Sequence, residues 1–443
     1  MDRAQRERMA RAILERSPAE QTEVLIGQSD DTLTRFTHQI SNQNVAALGA
    51  QITVRAILAG RTGVASTNSV DEDALRALVE RAVAMARLAP KDPLQPPLPV
   101  GKPAPAPPNA YVEATARASP ERRAQLCKAV FSAAERADCW CAGYASTASS
   151  AYTIANSNGA LASFEGTDAA VNVKMIGTDS SGWAEEHTTD VARIDAAAVA
   201  ARAVGKRLRG AAPRSVEPGP WCVILEPAAF GELLAYLAGH FSAQSYDEGS
   251  SFCSEGLERR YFGENVSMFD DYAHPLAPGM PFDFEGFPTQ RLPLVEHGVV
   301  RNVVTDSYYA HKLDRENTGH ALPAPNSYGP QPLHLVVAPG TARLEELIAG
   351  TARGLLVTRF WYIRTVDQKQ AIVTGMTRDG TFLVEHGRVV GGVRNLRFNQ
   401  SILEALRACE FSSEQVRTAG YGFSTVVPAA KIDGFTFTSA TEF

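Results

Sequence analysis

A proline-rich stretch constrains the fold of this chain more than any other feature of its sequence. From Pro90 to Pro108 the residues read PKDPLQPPLPVGKPAPAPP, and nine of them are proline. Because each proline lacks a backbone N–H and fixes φ, this stretch is neither a helix interior nor a central strand. We expect an extended connector, and the stiffness of proline with interspersed Leu and Val favours a strap along the surface over a floppy linker.

The connector divides a chain of 443 residues, which is too long for one ordinary domain. We expect a helix, strand and helix region at 1–89, the connector at 90–108, a central α/β region at 109–218 packed with the first, and a β-rich region at 219–443. The composition, 44% apolar and 21% charged, is typical of a soluble globular protein. The predicted fold class is therefore α+β.

Local patterns place several elements before residue 218. Apolar residues at helical spacing predict a surface helix near the N-terminus. Ser69 and Glu72 form a capping box for a helix that runs to about Leu88. In the central region, Asn158-Gly159 predicts a hairpin, and the stretch IDAAAVAARAVGKRLRG predicts a helix.

Glycine turns mark the C-terminal region. The stretches LVEHGVVRN and LVEHGRVVGGVRN are similar, and both predict hairpins that turn at His-Gly. We interpret His297 and His386 as residues that flank a glycine requiring positive φ, with a paired histidine site as the alternative. Asp379-Gly380 predicts a tight turn between two strands.

Charge and cysteine content bear on the class of protein. A net charge of −6 and a pI near 5.9 argue against a nucleic-acid partner, because phosphate binding normally requires a basic surface. The chain lacks the pattern of a signal peptide or a membrane span, so we expect no membrane association and a cytoplasmic protein.

The six cysteines form no CxxC pair, which favours reduced thiols. A metal clip made by Cys139 and Cys141 of the CWC stretch is the alternative.

A long motif in the C-terminal region carries a family resemblance. The stretch FWYIRTVDQKQAIVTGMTRDGTFLVEHGRVVGGVRNLRFNQSILEAL resembles the C-terminal signature of the TldD/PmbA family, which includes the TldE subunits. The resemblance extends over most of the chain after about Arg35. Further landmarks follow in the family's order: ANSNG at 155–159, Ser181-Gly182, WCVILEP at 221–227, TGHALP at 318–323, and the closing VPAAKIDGFTF.

The resemblance implies a fold and an assembly. Family members pair an N-terminal α/β region with a C-terminal domain rich in antiparallel strands, and their subunits form dimers that enclose a cleft. In the TldD/TldE heterodimer, TldD carries a zinc site and cleaves unfolded or leader peptides. TldE contributes to that assembly without binding metal.

The zinc motif of the family is degenerate in this chain. TldD-type subunits place HExxxH on the helix that aligns with AYLAGH, where Ala235 and Tyr236 replace the first His and the Glu and only His240 remains. A catalytic zinc needs about three protein ligands and a base to activate water. The family's cysteine ligand is also missing, because VRTAGYGFSTVVPAAKIDGF contains no cysteine. We expect no metal or cofactor in this chain, zinc in a TldD-type partner, and a helix-end or interface role for His240, where the helix C-terminus favours positive charge.

Two other chemistries are open at the loop after this helix. A Cys253 nucleophile with His240 as base would make the chain an autonomous, metal-independent hydrolase. An acid–base pair of Asp247 and Glu248 is weaker, because neighbours in a strand point apart.

The expected function is that of a TldE/PmbA-like, non-metal subunit of a TldD/TldE-type metallopeptidase that degrades or processes unfolded or leader peptides. Candidate contacts to an extended peptide in the cleft are Asp247, Glu248, Thr374 and Arg378. The chain is not expected to be catalytic alone, and a homodimer of the isolated chain is left open. A non-enzymatic, protein-binding module of the gyrase-modulator type is the remaining alternative.

Overall fold

Strands in two sheets form the framework of the chain. The computed structural model describes residues 1–419 and 424–441. The strands of the first sheet are β1 (Gln21–Thr37), β2 (Ile40–Leu58), β3 (Arg61–Thr67), β4 (Trp140–Asn156), β5 (Leu161–Ile176) and β6 (Ser181–Thr188). They lie in the order β3-β2-β1-β4-β5-β6, and every neighbouring pair is antiparallel.

The second sheet is larger and closes on itself in part. Its strands are β7 (Gly219–Leu225), β8 (Met268–Asp270), β9 (Leu292–Glu296), β10 (Val299–Val300), β11 (His334–Val337), β12 (Arg353–Asp367), β13 (Ile372–Glu385), β14 (Arg388–Gly392), β15 (Leu396–Ser401), β16 (Cys409–Ala419) and β17 (Ser424–Ala440). The pairings β7-β12-β13-β15-β17 return to β7, so these strands enclose a barrel-like core. Phe360, Phe398 and Phe435 fill that core with their rings in mutual contact.

Helices cover one face of the first sheet. The helices of the chain are α1 (Arg3–Arg16), α2 (Glu72–Leu88), α3 (Glu113–Ala116), α4 (Pro120–Arg136), α5 (Ala196–Arg209), α6 (Pro227–Ala238), α7 (Ala243–Asp247), α8 (Ser307–Lys312), α9 (Leu344–Ala349) and α10 (Ile402–Ala405). On β1, Val24 and Ile26 pack with α1 and α2, whereas Phe36 packs with α4 and α5. These three residues are an even number of positions apart, so both helix pairs cover the same face of the sheet.

The proline-rich connector lies along the surface as a strap, with no helix or strand over residues 90–108. Leu98 is buried, its N–H donates to Gln21 Oε1 at 2.7 Å, and its carbonyl accepts from Asn158 Nδ2 at 2.8 Å. The carbonyl of Pro99 accepts from Asn156 Nδ2 at 2.7 Å. The connector is therefore fixed to the first sheet by hydrogen bonds that its own sequence does not reveal.

Several local predictions are confirmed. The α+β class with a largely antiparallel second sheet is found, and β4 and β5 form the hairpin predicted at Asn158-Gly159. Gly298 and Gly387 have positive φ in their turns, and the preceding His297 and His386 also have positive φ. The six cysteines are free thiols.

Two local predictions are wrong. The N-cap of α2 is Asp71, not Ser69, whose hydroxyl instead donates to the Asp71 carboxylate at 2.7 Å. Asp379-Gly380 is not a tight turn between strands, because β13 continues through both residues with positive φ at each. Lys174 Nζ of β5 lies 2.5 Å from Asp379 Oδ1. This ion pair between the two sheets holds Asp379 within β13, so the predicted local turn does not form.

The helices of the described residues are short or polar. None is long and apolar enough to cross a membrane.

Candidate functional site

A cleft lies where the two sheets meet. The outer strand of the first sheet, β6, faces β16, which pairs only with β17 among the described strands. The backbone N–H of Ala419 on β16 lies 3.5 Å from Glu185 Oε1 on β6. Two sheet edges therefore border one groove, where unpaired backbone groups are available for hydrogen bonding.

The groove consists of three adjoining chambers. The central chamber, about 690 Å³, is lined by Tyr152 and Phe164 of the first sheet and by residues of the second. A chamber of about 870 Å³ shares His187 and Arg417 with it. An outer chamber of about 520 Å³ shares Leu322 with the central one. The shared lining residues make the three chambers parts of one continuous groove.

Two charged pairs lie along the groove, and one of them bridges it. Arg417 Nη2 donates to Asp168 Oδ2 at 2.5 Å and so joins β16 to β5, while Arg417 Nη1 is buried with no hydrogen-bond partner in the described residues. His187 Nε2 lies 3.0 Å from Glu185 Oε2. Burial opposes ionisation of both, but their hydrogen bond lowers the pKa of Glu185 and raises the pKa of His187. The groove thus holds two ion pairs and one unused guanidinium donor.

A second polar cluster lies in the wall of the central chamber. His320 Nε2 is 3.2 Å from Oδ1 of the fully buried Asp270, and His320 Nδ1 is 2.9 Å from Thr318 Oγ1. The N–H of His334 donates to Asp270 Oδ2 at 2.8 Å. Burial disfavours the charged form of Asp270, yet the nearby His320 holds the pKa of Asp270 below its ordinary value. Burial also disfavours the charged form of His334 and lowers the pKa of that histidine. Asp270 therefore accepts from the backbone of His334 and lies within ion-pair distance of the His320 ring, while Nδ1 of His334 is buried without a hydrogen-bond partner in the described residues.

The helix with the degenerate motif packs beneath this region. α6 begins after Glu226 with Pro227 at its first turn, and its apolar residues pack into the core of the second sheet. Ala235 and Tyr236 are partly buried, and the Tyr236 hydroxyl donates to the carbonyl of Ile363 at 2.6 Å. This hydrogen bond ties α6 to β12, and it engages the side chain that the family resemblance aligns with the catalytic base.

His240 lies just after α6 in the turn Gly239–Phe241. The residue is 1% exposed, and its Nδ1 lies 3.5 Å from the N–H of Phe252. Burial lowers the pKa of His240 to about 4. The histidine lies at a helix end, as expected. The prediction that it carries a positive charge there is wrong, because the cost of burying the charge exceeds the attraction of the helix terminus.

Cys253 lies near His240 but faces its backbone. Its Sγ is 3.5 Å from the carbonyl oxygen of His240 and 3.1 Å from Ser251 Oγ. Burial raises the pKa of the Cys253 thiol. A buried thiol that donates to a carbonyl lacks the thiolate character of a nucleophile, so the geometry does not favour the hydrolase alternative.

Asp247 and Glu248 are at the end of α7, not in a strand. Asp247 forms an ion pair with Lys312, and Glu248 accepts from Gln244 Nε2 at 2.9 Å. Both are exposed, and Glu248 lines the outer chamber. The assumption that these neighbours point apart in a strand is therefore wrong, although Glu248 does reach the groove.

Thr374 and Arg378 lie on β13. Thr374 Oγ1 donates to the carbonyl of Phe398 at 2.8 Å, and the Arg378 guanidinium lies 4.9 Å from the ring centre of Trp361. Neither is among the described residues that line the three chambers. Their assignment as peptide contacts stays a prediction.

The described residues contain no group of three or more His, Cys, Asp or Glu side chains arranged to hold a metal ion. Cys139 Sγ lies 4.0 Å from Met175 Sδ, and Cys141 is buried. Burial raises the pKa of both thiols, to about 11 for Cys141. These contacts are those of core thiols.

Comparison with known families covers nearly the whole chain. Residues 26–86 match domain 1 of the PmbA/TldA metallopeptidases, residues 114–210 match the central domain, and residues 218–439 match the C-terminal domain. The chain belongs to the PmbA/TldD family. TldE from Thermococcus kodakarensis has the same fold, with a TM-score of 0.88 and 22% identity over 98% of this chain and 99% of that protein.

Relatives within the PmbA/TldD family are distant in sequence. A zinc metalloprotease TldD homolog of Saccharolobus solfataricus is 24% identical over 223 residues, which are 47% of this chain and 46% of that protein. Metalloprotease PmbA of Escherichia coli is 23% identical over 350 residues, 74% of this chain and 73% of the relative. The chain thus aligns with less than half the length of the zinc metalloprotease homolog.

The zinc that the PmbA/TldD family implies does not fit the residues of α6 and of the turn that follows it. Ala235 has no donor atom, Tyr236 is bonded to Ile363, and Nδ1 of His240 faces a backbone N–H. These three positions provide a single imidazole in an apolar shell, short of the about three ligands that a catalytic zinc needs. The glycine-rich segment includes residues 420–423, which lie outside the described residues.

Sequence reasoning missed most of the charged groove. Asp168 and Arg417 are 249 positions apart and carry no local pattern. His320 falls within the landmark TGHALP, so the motif that carried the resemblance did contain a signal for it. Only the packing of the two sheets brings these residues together.

Proposed function

We propose that this chain is a TldE/PmbA-like, metal-free subunit that associates in the cytoplasm with a TldD-type metallopeptidase and helps to hold an extended peptide for cleavage. The observation that carries the proposal is the combination of a continuous groove with Tyr236 on α6 and a buried His240 just after it, in place of a zinc motif. The chain supplies peptide contacts, and its partner supplies zinc.

The borders of the groove suit an extended peptide. β6 and β16 are outer strands whose free edges face the same chamber of about 870 Å³. An extended peptide that adds to such an edge gains backbone hydrogen bonds that depend little on its sequence. Arg417 Nη1, buried and without a partner in the described residues, adds a donor for a peptide carbonyl. This recognition suits unfolded or leader peptides better than one defined sequence.

The proposal is tested by peptidase assays on unfolded casein with this chain alone, a TldD-type subunit from the same source alone, and an equimolar mixture. We expect no turnover by this chain alone, and turnover in the mixture that exceeds the sum of the separate subunits. Turnover by the purified chain alone would contradict the proposal, since that result requires a nucleophile or metal site of its own.

A matched pair of variants tests the groove. Val416 lies on β16 and lines the chamber, whereas Val390 is a similarly exposed valine on β14, outside the three chambers. Val416→Trp fills the groove and should lower turnover by the mixture, while Val390→Trp should leave it unchanged. Equal turnover by the two variants would contradict the proposal that the groove holds the peptide.

A further inference from the structure

The wall of the central chamber contains a cluster of polar atoms that have no partner. In the described residues, eleven buried side-chain nitrogen or oxygen atoms lack a hydrogen bond. Four of them belong to side chains that line this chamber, which we call the polar wall: His320 Nε2, His334 Nδ1, Arg417 Nη1 and Ser424 Oγ. Because a buried polar atom without a partner is costly, such a cluster beside one cavity indicates a group that binds there.

Strand pairing aligns most of the polar wall. His334 on β11 and Ser424 on β17 are paired residues, and Ser424 is paired on its other side with Ala419 of β16. Arg417 lies two positions before Ala419, so its side chain is on the same face of the sheet. Gly279 allows the His334 ring to lie in this row, since a Cβ atom at Gly279 would be 2.0 Å from the ring carbon Cε1.

Another part of the chamber wall is apolar and aromatic. Phe164 of β5, Met280 and Phe282 belong to one buried cluster, and Tyr152 of β4 packs against it. All four side chains line the chamber. Its volume of about 690 Å³ lies within the range of about 300–1,000 Å³ that is typical of ligand pockets. The chamber therefore suits a group with an aromatic body and a polar end.

The charges around the chamber indicate that this polar end is neutral. Each cationic side chain of the wall lies beside a carboxylate: Arg417 beside Asp168, His187 beside Glu185, and His320 beside Asp270. Asp283, a further carboxyl of the lining, accepts from three backbone N–H groups. His334 is neutral near pH 7, because burial lowers its pKa. A charged ligand group would find no available counter-charge among the described residues, which is costly away from water.

We propose that the central chamber binds the tyrosine side chain of a peptide held at the β16 edge, with the ring against Phe164 and Phe282 and the hydroxyl between His334 and Ser424. A phenol hydroxyl both donates and accepts, so it satisfies a serine hydroxyl and a neutral imidazole in either tautomer. Arg417 Nη1 remains available for a carbonyl of the same peptide. Peptides that contain tyrosine are then the preferred substrates, an assignment that rests on the proposed function of the groove.

Isothermal titration calorimetry of the full chain tests the proposal. The probes are blocked peptides of alternating glycine and alanine that differ in one central residue, which is tyrosine, phenylalanine, aspartate or lysine. We expect the tyrosine peptide to bind about tenfold more tightly than the phenylalanine peptide, because only its hydroxyl pairs with the two unsatisfied atoms. The charged peptides should bind more weakly than either. Another peptide that binds as tightly as the tyrosine peptide, or no measurable binding of the tyrosine peptide, overturns the proposal.

Ser424→Ala separates the hydroxyl contact from the fit of the ring. The variant should lower the preference for tyrosine over phenylalanine about threefold and leave the affinity for the phenylalanine peptide unchanged. Ser180→Ala is the matched control, because the Ser180 hydroxyl is also buried without a partner in the described residues but lies outside the central chamber. The control should keep the preference of the wild type. A Ser424→Ala chain that keeps it as well overturns the proposal.

Binding by the chain alone distinguishes this pocket from the proposed peptidase role. Tyrosine-dependent binding, without a gain in turnover when a TldD-type subunit is added, would support the pocket and contradict the proposed function. A gain in turnover by the mixture, without tyrosine-dependent binding, would support the proposed function and overturn the pocket.

Discussion

At the scale of single residues, burial decides the chemistry of His240 and Cys253 at the end of α6. Burial lowers the pKa of His240 to about 4 and raises the pKa of the Cys253 thiol. The same low-polarity environment that accommodates α6 therefore suppresses both the base and the nucleophile that an autonomous hydrolase would need.

Cys253→Ala provides a direct test of that conclusion. The substitution should leave the peptidase activity of a mixture with a TldD-type subunit unchanged, because the thiol donates to a carbonyl within the core. The free energy of unfolding should fall by about 1–2 kcal/mol through the small cavity created. Initial rates on unfolded casein and urea unfolding measure the two effects, and loss of activity without loss of folding would return Cys253 to the list of catalytic candidates.

His240 should also affect the pH dependence of stability. Its pKa is about 4 in the folded chain, against an ordinary value of 6.5, so the unfolded chain binds a proton more readily between these values. The free energy of unfolding should therefore decrease as pH falls from about 6.5 to about 4. His240→Asn keeps an acceptor near Phe252 and should show a smaller decrease in urea unfolding over this range. Identical slopes for the variant and the wild type would contradict the assignment.

At the scale of elements, a buried ion triad fixes the first sheet to the segment before α8. Arg55 Nη2 of β2 lies 2.7 Å from Glu23 Oε2 of β1, and Arg55 Nη1 lies 2.9 Å from Glu285 Oε1. All three side chains are largely buried. Breaking a buried pair by removing one partner leaves an uncompensated charge, which is more costly than the net benefit of forming the pair.

Arg55→Met should consequently destabilise the chain by about 3–5 kcal/mol in urea unfolding, because two carboxylates lose their cation. Arg117→Met is the matched control: Arg117 pairs with Glu113 at the surface, with its side chain 82% exposed. That loss should be at most about 1 kcal/mol. Equal effects of the two substitutions would show that the triad does not join these elements.

Glu23 should contribute a pH dependence of opposite sign to that of His240. Burial raises the pKa of Glu23 to about 7 despite Arg55, from an ordinary 4.5, so the folded chain retains a proton that the unfolded chain releases. This contribution to stability is present below about pH 4.5 and is lost as pH rises through about 7. Glu23→Gln should show a smaller loss of unfolding free energy over that range. A variant with the slope of the wild type would show that Glu23 is ionised throughout.

The sequence predicts elements better than contacts between them. The Asn158-Gly159 turn and the end of α2 at Leu88 depend on local preferences, so both are readable from short stretches. Asp379-Gly380 has the same local signal as a turn, yet contacts with Lys174 and Ser181 of the first sheet keep it within β13. The charged groove, the strap contacts and the ion triad all join residues that are far apart in the chain. Periodicity and spacing are local patterns, so they do not predict such contacts.

At the scale of the whole molecule, the ion pair of Asp168 and Arg417 joins the two sheets across the groove. Arg417→Gln removes this link and the unused guanidinium donor, so we expect a KM for peptide about tenfold higher in the mixture, with kcat little changed. Arg76→Gln on α2, whose side chain is 61% exposed, should change neither constant. A lowered kcat with unchanged KM would instead place Arg417 in the chemical step.

The central claim is that this chain contributes no zinc site to a peptidase assembly. The most direct measurement is zinc content, by inductively coupled plasma mass spectrometry, of the purified chain and of its complex with a TldD-type subunit, after both are dialysed in the presence of zinc. The account predicts no stoichiometric zinc in the chain alone and about one zinc per heterodimer in the complex. One zinc bound by the chain alone would contradict it.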